Sequence, residues 1–337
     1  MGIFNMFKKP ELPKPNSDST IVNKDIRYLE MVLREWLKSD LRDEQLLAEK
    51  YYDGDHDILY RQKKVIGADG NLVAIENVVN NKLVDNQYRK LVDQKTNYVL
   101  GKPITISTEN EEYLKLITKI FGKKVHRQLR TLAQYAVDGG IAWLHPYYGE
   151  DKTLRIAVFP SHEVCPLWKD KAHTELDGIM HYYQDEVFDD KGGTKLINRV
   201  DLFTTGGITH FRYQGASLIL DENPHSDYLY VEDNGFNWKK LPIIPFKYNS
   251  KEIPLIRAVK SLQDALNQVL SDFQNNMEED PRTTILVLKN YDGTNIPEFR
   301  QNLATYGVIK VTTVDGVQGG VEALKVEVNA QNYQAIL

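Results

Sequence analysis

The residues whose types could bind a metal or act as nucleophiles do not stand at productive spacings. Asp55, His56 and Asp57 are consecutive, whereas the ligands of a metal site converge from separated positions, so a polar loop is the expected structure. The remaining histidines form no HExxH motif, and no GxSxG motif surrounds a serine. The sequence therefore predicts no metal site, no cofactor and no catalytic centre of a recognisable type.

Two further motifs are explained better by the ends of helices than by chemistry. Gly101-Lys102-Pro103 is not a P-loop, because Thr96 replaces its first glycine and Pro103 replaces the Ser or Thr that would hold magnesium. The carboxylates at positions 278–280 directly follow a long apolar repeat. Both motifs are therefore expected to mark the point where a helix ends.

Composition excludes several classes of protein. The single cysteine, Cys165, rules out an internal disulfide and a cysteine-based zinc cluster, and its apolar neighbours predict a buried thiol. No apolar run reaches the roughly eighteen residues of a membrane span, and the Lys- and Pro-rich start is unlike a signal peptide. An intracellular protein without a membrane segment is expected. The formal net charge of −5 argues against tight phosphate binding, which normally requires a basic protein.

The elements that must position these residues are helices and antiparallel strands, so the expected fold class is α+β. Residues 1–24 are rich in Pro, Asn, Ser and Lys and are predicted to form a flexible arm. Apolar residues at helical spacing predict helices over about 25–37, 46–53, 80–100 and 111–138, the last broken near Gly122. Alternating and aromatic runs predict strands at 104–107, 141–145, 154–159, 178–183, 199–204 and 208–213, with a turn at 67–71.

The most distinctive element is a long two-faced helix between Pro254 and Pro281. Apolar residues step by three and four along one face: Leu255, Val259, Leu262, Leu266, Val269, Leu270, Phe273 and Met277. The opposite face is polar and rich in amides: Lys260, Gln263, Asp264, Asn267, Gln268, Ser271, Asp272, Gln274 and Asn275. Periodicity alone favours an ordinary surface helix on a core.

A compact segment is predicted after the long helix. Its expected strands lie at 284–288, 308–313 and 323–328, with a short helix at 296–306. From Asn329 the pattern is that of another helix without a stop signal. The natural polypeptide is therefore expected to continue past Leu337.

Several short motifs follow one another along the chain. They are Tyr51-Tyr52-Asp53-Gly54-Asp55-His56-Asp57-Ile58, Asn80-Asn81-Lys82-Leu83-Val84-Asp85, Tyr98-Val99-Leu100-Gly101-Lys102-Pro103-Ile104, Asp138-Gly139-Gly140-Ile141-Ala142-Trp143, Leu241-Pro242-Ile243-Ile244-Pro245-Phe246, and Ile256 through Met277 leading into Leu286 to Gly293. In this order and spacing, over about residues 25–337, the chain resembles the portal proteins of siphophages of Gram-positive hosts and of related prophages.

The resemblance implies an architecture. Portal subunits form a homo-oligomeric ring of about a dozen copies with wing, stem, clip and crown regions. It implies a helical and antiparallel β wing domain at 25–252, a first stem helix at 253–280, a small α/β clip domain at 281–327 and the start of a second stem helix at 328–337. Relative to the family the chain is expected to be C-terminally truncated, without the remaining stem, the tunnel loop and the crown.

The resemblance also implies a role, which is structural and not enzymatic. The ring is expected to be the channel through which double-stranded DNA is packaged into the phage capsid and ejected from it. Its expected place is the portal vertex of the virion, after assembly in the host cytoplasm. The implied partners are further copies of the chain, the terminase large subunit, a head-completion adaptor, scaffold and major capsid protein, and double-stranded DNA without sequence specificity, but no membrane.

Charge and spacing suit a passage in which DNA slides. Residues 253–337 carry seven Lys and Arg against ten Asp and Glu, so a wall of such chains repels phosphates weakly instead of holding them. Lys260, Asn267 and Gln274 are spaced by seven, share one helix face and are candidates to face the channel. The candidates for packing between neighbouring stem helices are Leu262, Leu266, Val269, Phe273 and Met277.

Two alternatives to the portal assignment stay open at the level of sequence. One is another phage head or connector structural protein, which differs from a portal in its stoichiometry at the capsid vertex. The other is a phage nucleic-acid-processing enzyme, which would require converging carboxylates and a bound divalent metal.

Overall fold

The structure, a computed structural model, describes residues 26–66, 71–74, 78–149, 151–188, 192–232, 234–279, 285–289 and 320–324. The α-helices in these residues are α1 (Ile26–Leu37), α2 (Asp40–Asp53), α3 (Gln87–Leu100), α4 (Glu111–Ile120), α5 (Lys123–Gly139) and α6 (Ile256–Glu279). None of the helices in the described ranges combines the length and the apolar character that crossing a bilayer requires.

Short polar residues and glycines set the helix ends. Ser39 begins α2 by accepting the N–H of Arg42 at 3.3 Å, and Asn86 begins α3 by accepting the N–H of Arg89 at 2.8 Å. Gly54 ends α2 with φ of 93°, a left-handed conformation that glycine adopts without a steric penalty. These local signals explain why sequence patterns located most helix ends closely.

The strands form antiparallel sheets. Their bounds are β1 (Lys64–Ile66), β2 (Leu72–Ala74), β3 (Ile141–Tyr148), β4 (Leu154–Phe159), β5 (Val164–Trp168), β6 (Leu176–Phe188), β7 (Thr194–Thr204), β8 (Gly207–Gln214), β9 (Ser217–Ser226), β10 (Leu229–Val231), β11 (Asn234–Phe236), β12 (Ile244–Lys247), β13 (Ile285–Lys289) and β14 (Gly320–Leu324). The larger sheets have the orders β5-β6-β7-β8-β9 and β12-β3-β4, beside the pairs β1-β2, β10-β11 and β13-β14. The predicted α+β class is confirmed.

The chain divides into two compact units. Among the described residues, the first unit contains 26–55 and 86–263, with α1 to α5 and both larger sheets. The second contains 56–85, 264–279 and the β13-β14 pair. The boundary after Gln263 falls within α6, so one continuous helix contributes residues to both units.

The core of the first unit explains the single cysteine. Leu29 and Leu33 of α1 pack with Cys165, Met180 and Val200 from the five-stranded sheet. Cys165 is buried, and burial raises the pKa of its thiol, because the charged thiolate is poorly solvated there. The prediction of a buried cysteine is confirmed.

Two predicted elements are wrong, and several predictions concern residues outside the described ranges. The predicted helix from about Asn80 begins only at Gln87, and residues 104–107 form no strand because they pair with none of the described strands. Strands β5, β9, β10, β11 and β12 were not predicted. The predictions for 1–24, 296–306, 308–313 and 329–337 lie outside the described residues.

Candidate functional site: the two faces of helix α6

The polar face of α6 is covered by the chain itself in the second unit. Residues 80–85, here called the strap, offer alternate backbone N–H groups to the helix. Asn275 Oδ1 accepts the N–H of Asn81 at 2.6 Å, and Ser271 Oγ accepts that of Leu83 at 2.9 Å. Asn267 Oδ1 accepts the N–H of Asp85 at 3.1 Å.

The spacing of the acceptors along α6 matches the spacing of the N–H donors along the strap. Four residues of an α-helix rise about 6 Å, and two residues of an extended chain span about 6.6 Å. Acceptors at every fourth position of α6 therefore meet donors at every second position of the strap, which follows the helix in the opposite direction. The side chains of α6 thus do for the strap what a neighbouring strand does in a sheet.

Charged and polar contacts hold the strap at its outer end. Arg61 Nη1 lies 2.7 Å from Asp272 Oδ1, and Arg61 Nη2 donates to the carbonyl of Asn81 at 3.2 Å. Asn80 Nδ2 donates to the carbonyl of Arg61 at 3.2 Å. One guanidinium therefore links α6, the strap and the residues after His56.

The side chain of His56 contacts α6 at the other end of the strap, where Asn267 binds Asp85. Its ring Nδ1 lies 2.8 Å from Nδ2 of Asn267. Because Asn267 Oδ1 already accepts from Asp85, Nδ2 must be the donor, and the imidazole Nδ1 must be the acceptor. His56 lies in the irregular segment after α2, as expected for a polar loop, but its side chain is fully buried. Within the described ranges, no three His, Cys, Asp or Glu residues are grouped to hold a metal ion.

In the first unit, the start of α6 is tied to a buried polar pair. Gln263 Oε1 accepts the N–H of Tyr88 at 2.9 Å, and Tyr88 donates its hydroxyl to Asp138 at 2.7 Å. Burial raises the pKa of Asp138 to about 7, although hydrogen bonds from Tyr88 and Gln134 partly offset this effect. Burial and the nearby carboxylate likewise raise the pKa of Tyr88.

Asp138→Asn is expected to remove a pH dependence of stability. The folded protein binds the Asp138 proton more tightly than the unfolded chain, so its stabilising contribution is complete below pH 3.8 and lost as the pH rises towards 7. Between pH 5 and pH 8 the parent should lose about 3 kcal/mol relative to Asp138→Asn in urea unfolding. The exposed Asp43→Asn is the control and should follow the parent. A variant with the same pH slope as the parent contradicts the assignment.

The apolar stripe of α6 is partly open, in contrast to the polar face: Leu255 and Val259 pack against the core of the first unit, but no residue of the stripe is fully buried. Leu262 is 71% exposed and Met277 is 54% exposed. Leu266, Val269 and Phe273 between them are half-buried. Contiguous apolar side chains of this kind mark a surface that binds another protein surface.

The predicted channel-facing residues share the side of α6 that the chain covers. Asn267 is fully buried, so the prediction that it faces a channel is wrong, because its amide is used to hold the strap. Lys260 is half-buried, with its ammonium 5.1 Å from the centre of the Tyr51 ring. Gln274 is half-buried and donates to Glu278 at 3.0 Å. For Lys260 and Gln274 the channel-facing role stays a prediction.

The sequence predicted the polar face of α6 but not the strap that covers it. Gln263, Asn267, Ser271 and Asn275 recur at intervals of four, whereas the prediction relied on an interval of seven. An interval of four places side chains in one nearly straight row along a helix. That row of hydrogen-bonding side chains is the signal that could have indicated a covering segment.

Comparison with known proteins assigns this α+β protein with a two-faced helix to a family. Residues 39–337 match the family described as "Phage portal protein, SPP1 Gp6-like". The chain belongs to this family of phage portal proteins, as its sequence motifs suggested.

Two relatives carry the name "Portal protein". The protein of Bacillus phage SPP1 is 27% identical over 289 residues, which cover 83% of this chain and 54% of the relative. The protein of Clostridium phage phiCD119 is 27% identical over 308 residues, which cover 88% of this chain and 66% of the relative. The chain thus spans between about half and two thirds of the length of these relatives.

Proposed function

We propose that the chain is a portal subunit: copies form a ring through which double-stranded DNA enters and leaves the phage capsid. Membership of the portal family supports this role. Helix α6 links this role to particular residues, because its polar face is covered by the chain and its apolar stripe is exposed at Leu262 and Met277. A structural role, and not enzymatic turnover, is part of the proposal.

In this proposal the open stripe is buried between neighbouring subunits. Fully burying a leucine or methionine side chain contributes about 1.5–3 kcal/mol relative to leaving it in water. Leu262 and Met277, the two exposed residues of the stripe, have most to gain. Leu266, Val269 and Phe273 would complete the packing. A ring requires this contact at every interface, so its effect is multiplied around the circle.

The side chains proposed to face the channel are those on neither the covered face nor the apolar stripe of α6. Because the strap occupies one face of α6 and the neighbouring copies take the apolar stripe, the exposed polar residues at the side are available to the lumen. Ser261 and Gln268 are exposed and spaced by seven. Neutral hydroxyl and amide groups make weak, sequence-independent contacts with phosphates, which lets DNA slide.

The regions and partners of the proposal follow the family. Residues 25–252 would be the wing, 253–280 the first stem helix, 281–327 the clip and 328–337 the start of the second stem helix. The subunit would belong to the capsid of the virion, at the portal vertex. The ring would dock the terminase large subunit, the head-completion adaptor, and the scaffold and major capsid proteins.

Imaging of the purified intact protein tests this function. Negative-stain micrographs and native mass measurement are expected to give closed rings with a central hole and a mass that is a whole multiple of the subunit. A protein that stays monomeric at every protein and salt concentration would contradict the proposed function.

A further inference from the structure

A basic surface runs from Lys115 in α4 to Arg130 in α5, after the exposed Glu111 and Glu112 of the first turn of α4. It consists of Lys115, Lys119, Lys123, Lys124, Arg127 and Arg130, all exposed. Between Tyr113 and Val137 the sequence contains no Asp or Glu. In a chain with a formal net charge of −5, this surface is a local reversal of sign.

Helix α4 within this surface packs on nothing in the described chain strongly enough to bury a side chain. None of its residues is buried, and large apolar side chains such as Tyr113, Leu116 and Phe121 are exposed. Exposed apolar groups flanked by charges of one sign are typical of a docking surface with a charged partner.

An acidic surface lies on α2. Its exposed carboxylates are Asp40, Asp43, Glu49 and Asp53, with Lys50 as the one exposed cation of that helix. Three charged residues of α2 are engaged within the unit: Glu49 lies 3.5 Å from Nε2 of His162, Glu44 binds Arg257 at 2.8 Å, and Arg42 donates to the carbonyl of His162 at 3.0 Å. Leu41, next to Asp40 in the sequence, is exposed, so this surface also combines apolar and charged groups.

The α4 end of the basic surface lies far from α2 within one chain. Helix α2 touches the far end of α5, where Gln45 donates to the carbonyl of Gly139 at 3.0 Å. Arg127 precedes Gly139 by twelve residues, about 18 Å of helix, and Lys123 by sixteen, about 24 Å. Both distances exceed the screening length of about 8 Å at physiological salt.

We propose that the basic surface of one copy docks on the acidic surface of the next copy in the ring. This inference rests on the proposed function, because it assigns part of the subunit interface of that ring. A head-to-tail ring joins two different surfaces of the same chain, and the α4–α5 and α2 surfaces are opposite in charge. The exposed apolar residues of the two surfaces form the centre of such a contact, and the charged residues fix its register.

Charge reversal on each surface and on both tests the pairing. Lys123→Glu with Arg127→Glu reverses the basic surface, and Asp40→Lys with Asp43→Lys reverses the acidic one. Each double variant should weaken ring formation by about tenfold or more, because like charges then meet at every interface. The quadruple variant should restore rings, because opposite charges meet again. Analytical ultracentrifugation at physiological salt measures the assembled fraction.

A charge reversal elsewhere on the surface is the control for these variants. Lys239→Glu with Lys240→Glu makes the same change of charge at exposed positions and should assemble like the parent. If the reversed variants form rings as the parent does, the inference fails while the proposed function stands. It fails equally if the quadruple variant does not recover, or if basic-surface reversal abolishes binding of a DNA duplex and leaves rings intact. A parent that forms no rings refutes the proposed function itself.

Discussion

Leu262→Asp is expected to leave the subunit folded and to prevent its assembly. Leu262 is 71% exposed in the single chain, so a carboxylate there remains solvated and costs little folding free energy. At a subunit interface the same carboxylate would be buried without a partner, which costs several kcal/mol at every contact. Since about 1.4 kcal/mol is a factor of ten in an equilibrium constant, sedimentation at micromolar concentration should show monomers only.

A matched variant separates this effect from a general effect of added charge. Leu196 in β7 is 61% exposed and lies outside the stripe, so Leu196→Asp should assemble like the parent. Circular dichroism should give both variants the thermal stability of the parent subunit. Rings of normal size and yield from Leu262→Asp would contradict the assignment of the stripe.

Asn267→Leu is expected to destabilise the fold by about 2–5 kcal/mol. Leucine has the same branched heavy-atom skeleton as asparagine and is larger, so the change removes hydrogen bonds without opening a cavity. It removes the acceptor of the partly buried N–H of Asp85 and the donor to the buried Nδ1 of His56, and the loss of each such bond costs about 1–3 kcal/mol. Equilibrium unfolding in urea measures the difference in the free energy of unfolding.

The neighbouring amide provides the control for this prediction. Gln268 is exposed on the same helix, so Gln268→Leu should change stability by no more than about 0.5 kcal/mol. If Asn267→Leu is as stable as Gln268→Leu, the strap does not depend on the side chains of α6. Asn267→Asp is informative as well, because its carboxylate can still accept from Asp85 but cannot donate to His56.

Sequence patterns predicted the helices whose bounds are determined by residues within the helix or directly beside it. Helix α6 runs Ile256–Glu279, close to the range set by Pro254, Pro281 and a stripe at steps of three and four. The ends of α2 and α3 follow from Gly54 and from the Gly101-Lys102-Pro103 run. In each case the residues that determine the element lie within it or directly beside it.

The strap could not be predicted in this way because its partners are remote in sequence. The N–H groups of Asn81, Leu83 and Asp85 are satisfied by side chains 182 to 194 residues away. Apolar residues at 83, 84 and 88 suit a helix, yet the row of acceptors on α6 satisfies the same backbone groups in an extended course. Tertiary hydrogen bonding therefore overrides helical propensity at this segment.

The same remote contacts explain why the channel-facing assignment failed at Asn267. A polar helix face is equally suited to water and to a covering segment, and only the second leaves it buried. Sequence distinguished the two faces of α6 correctly, but it could not tell which of them the chain itself covers. Asn267 is fully buried, whereas Leu262 is 71% exposed in the single chain.

Thiol labelling at position 262 tests most directly whether the stripe of α6 is buried between copies. The native Cys165 is buried, so a thiol introduced by Leu262→Cys reports alone in the folded protein. It should react rapidly in isolated subunits and be strongly protected in purified rings, whereas Leu196→Cys should react rapidly in both. Equal reactivity of Leu262→Cys in rings and in subunits would contradict the account.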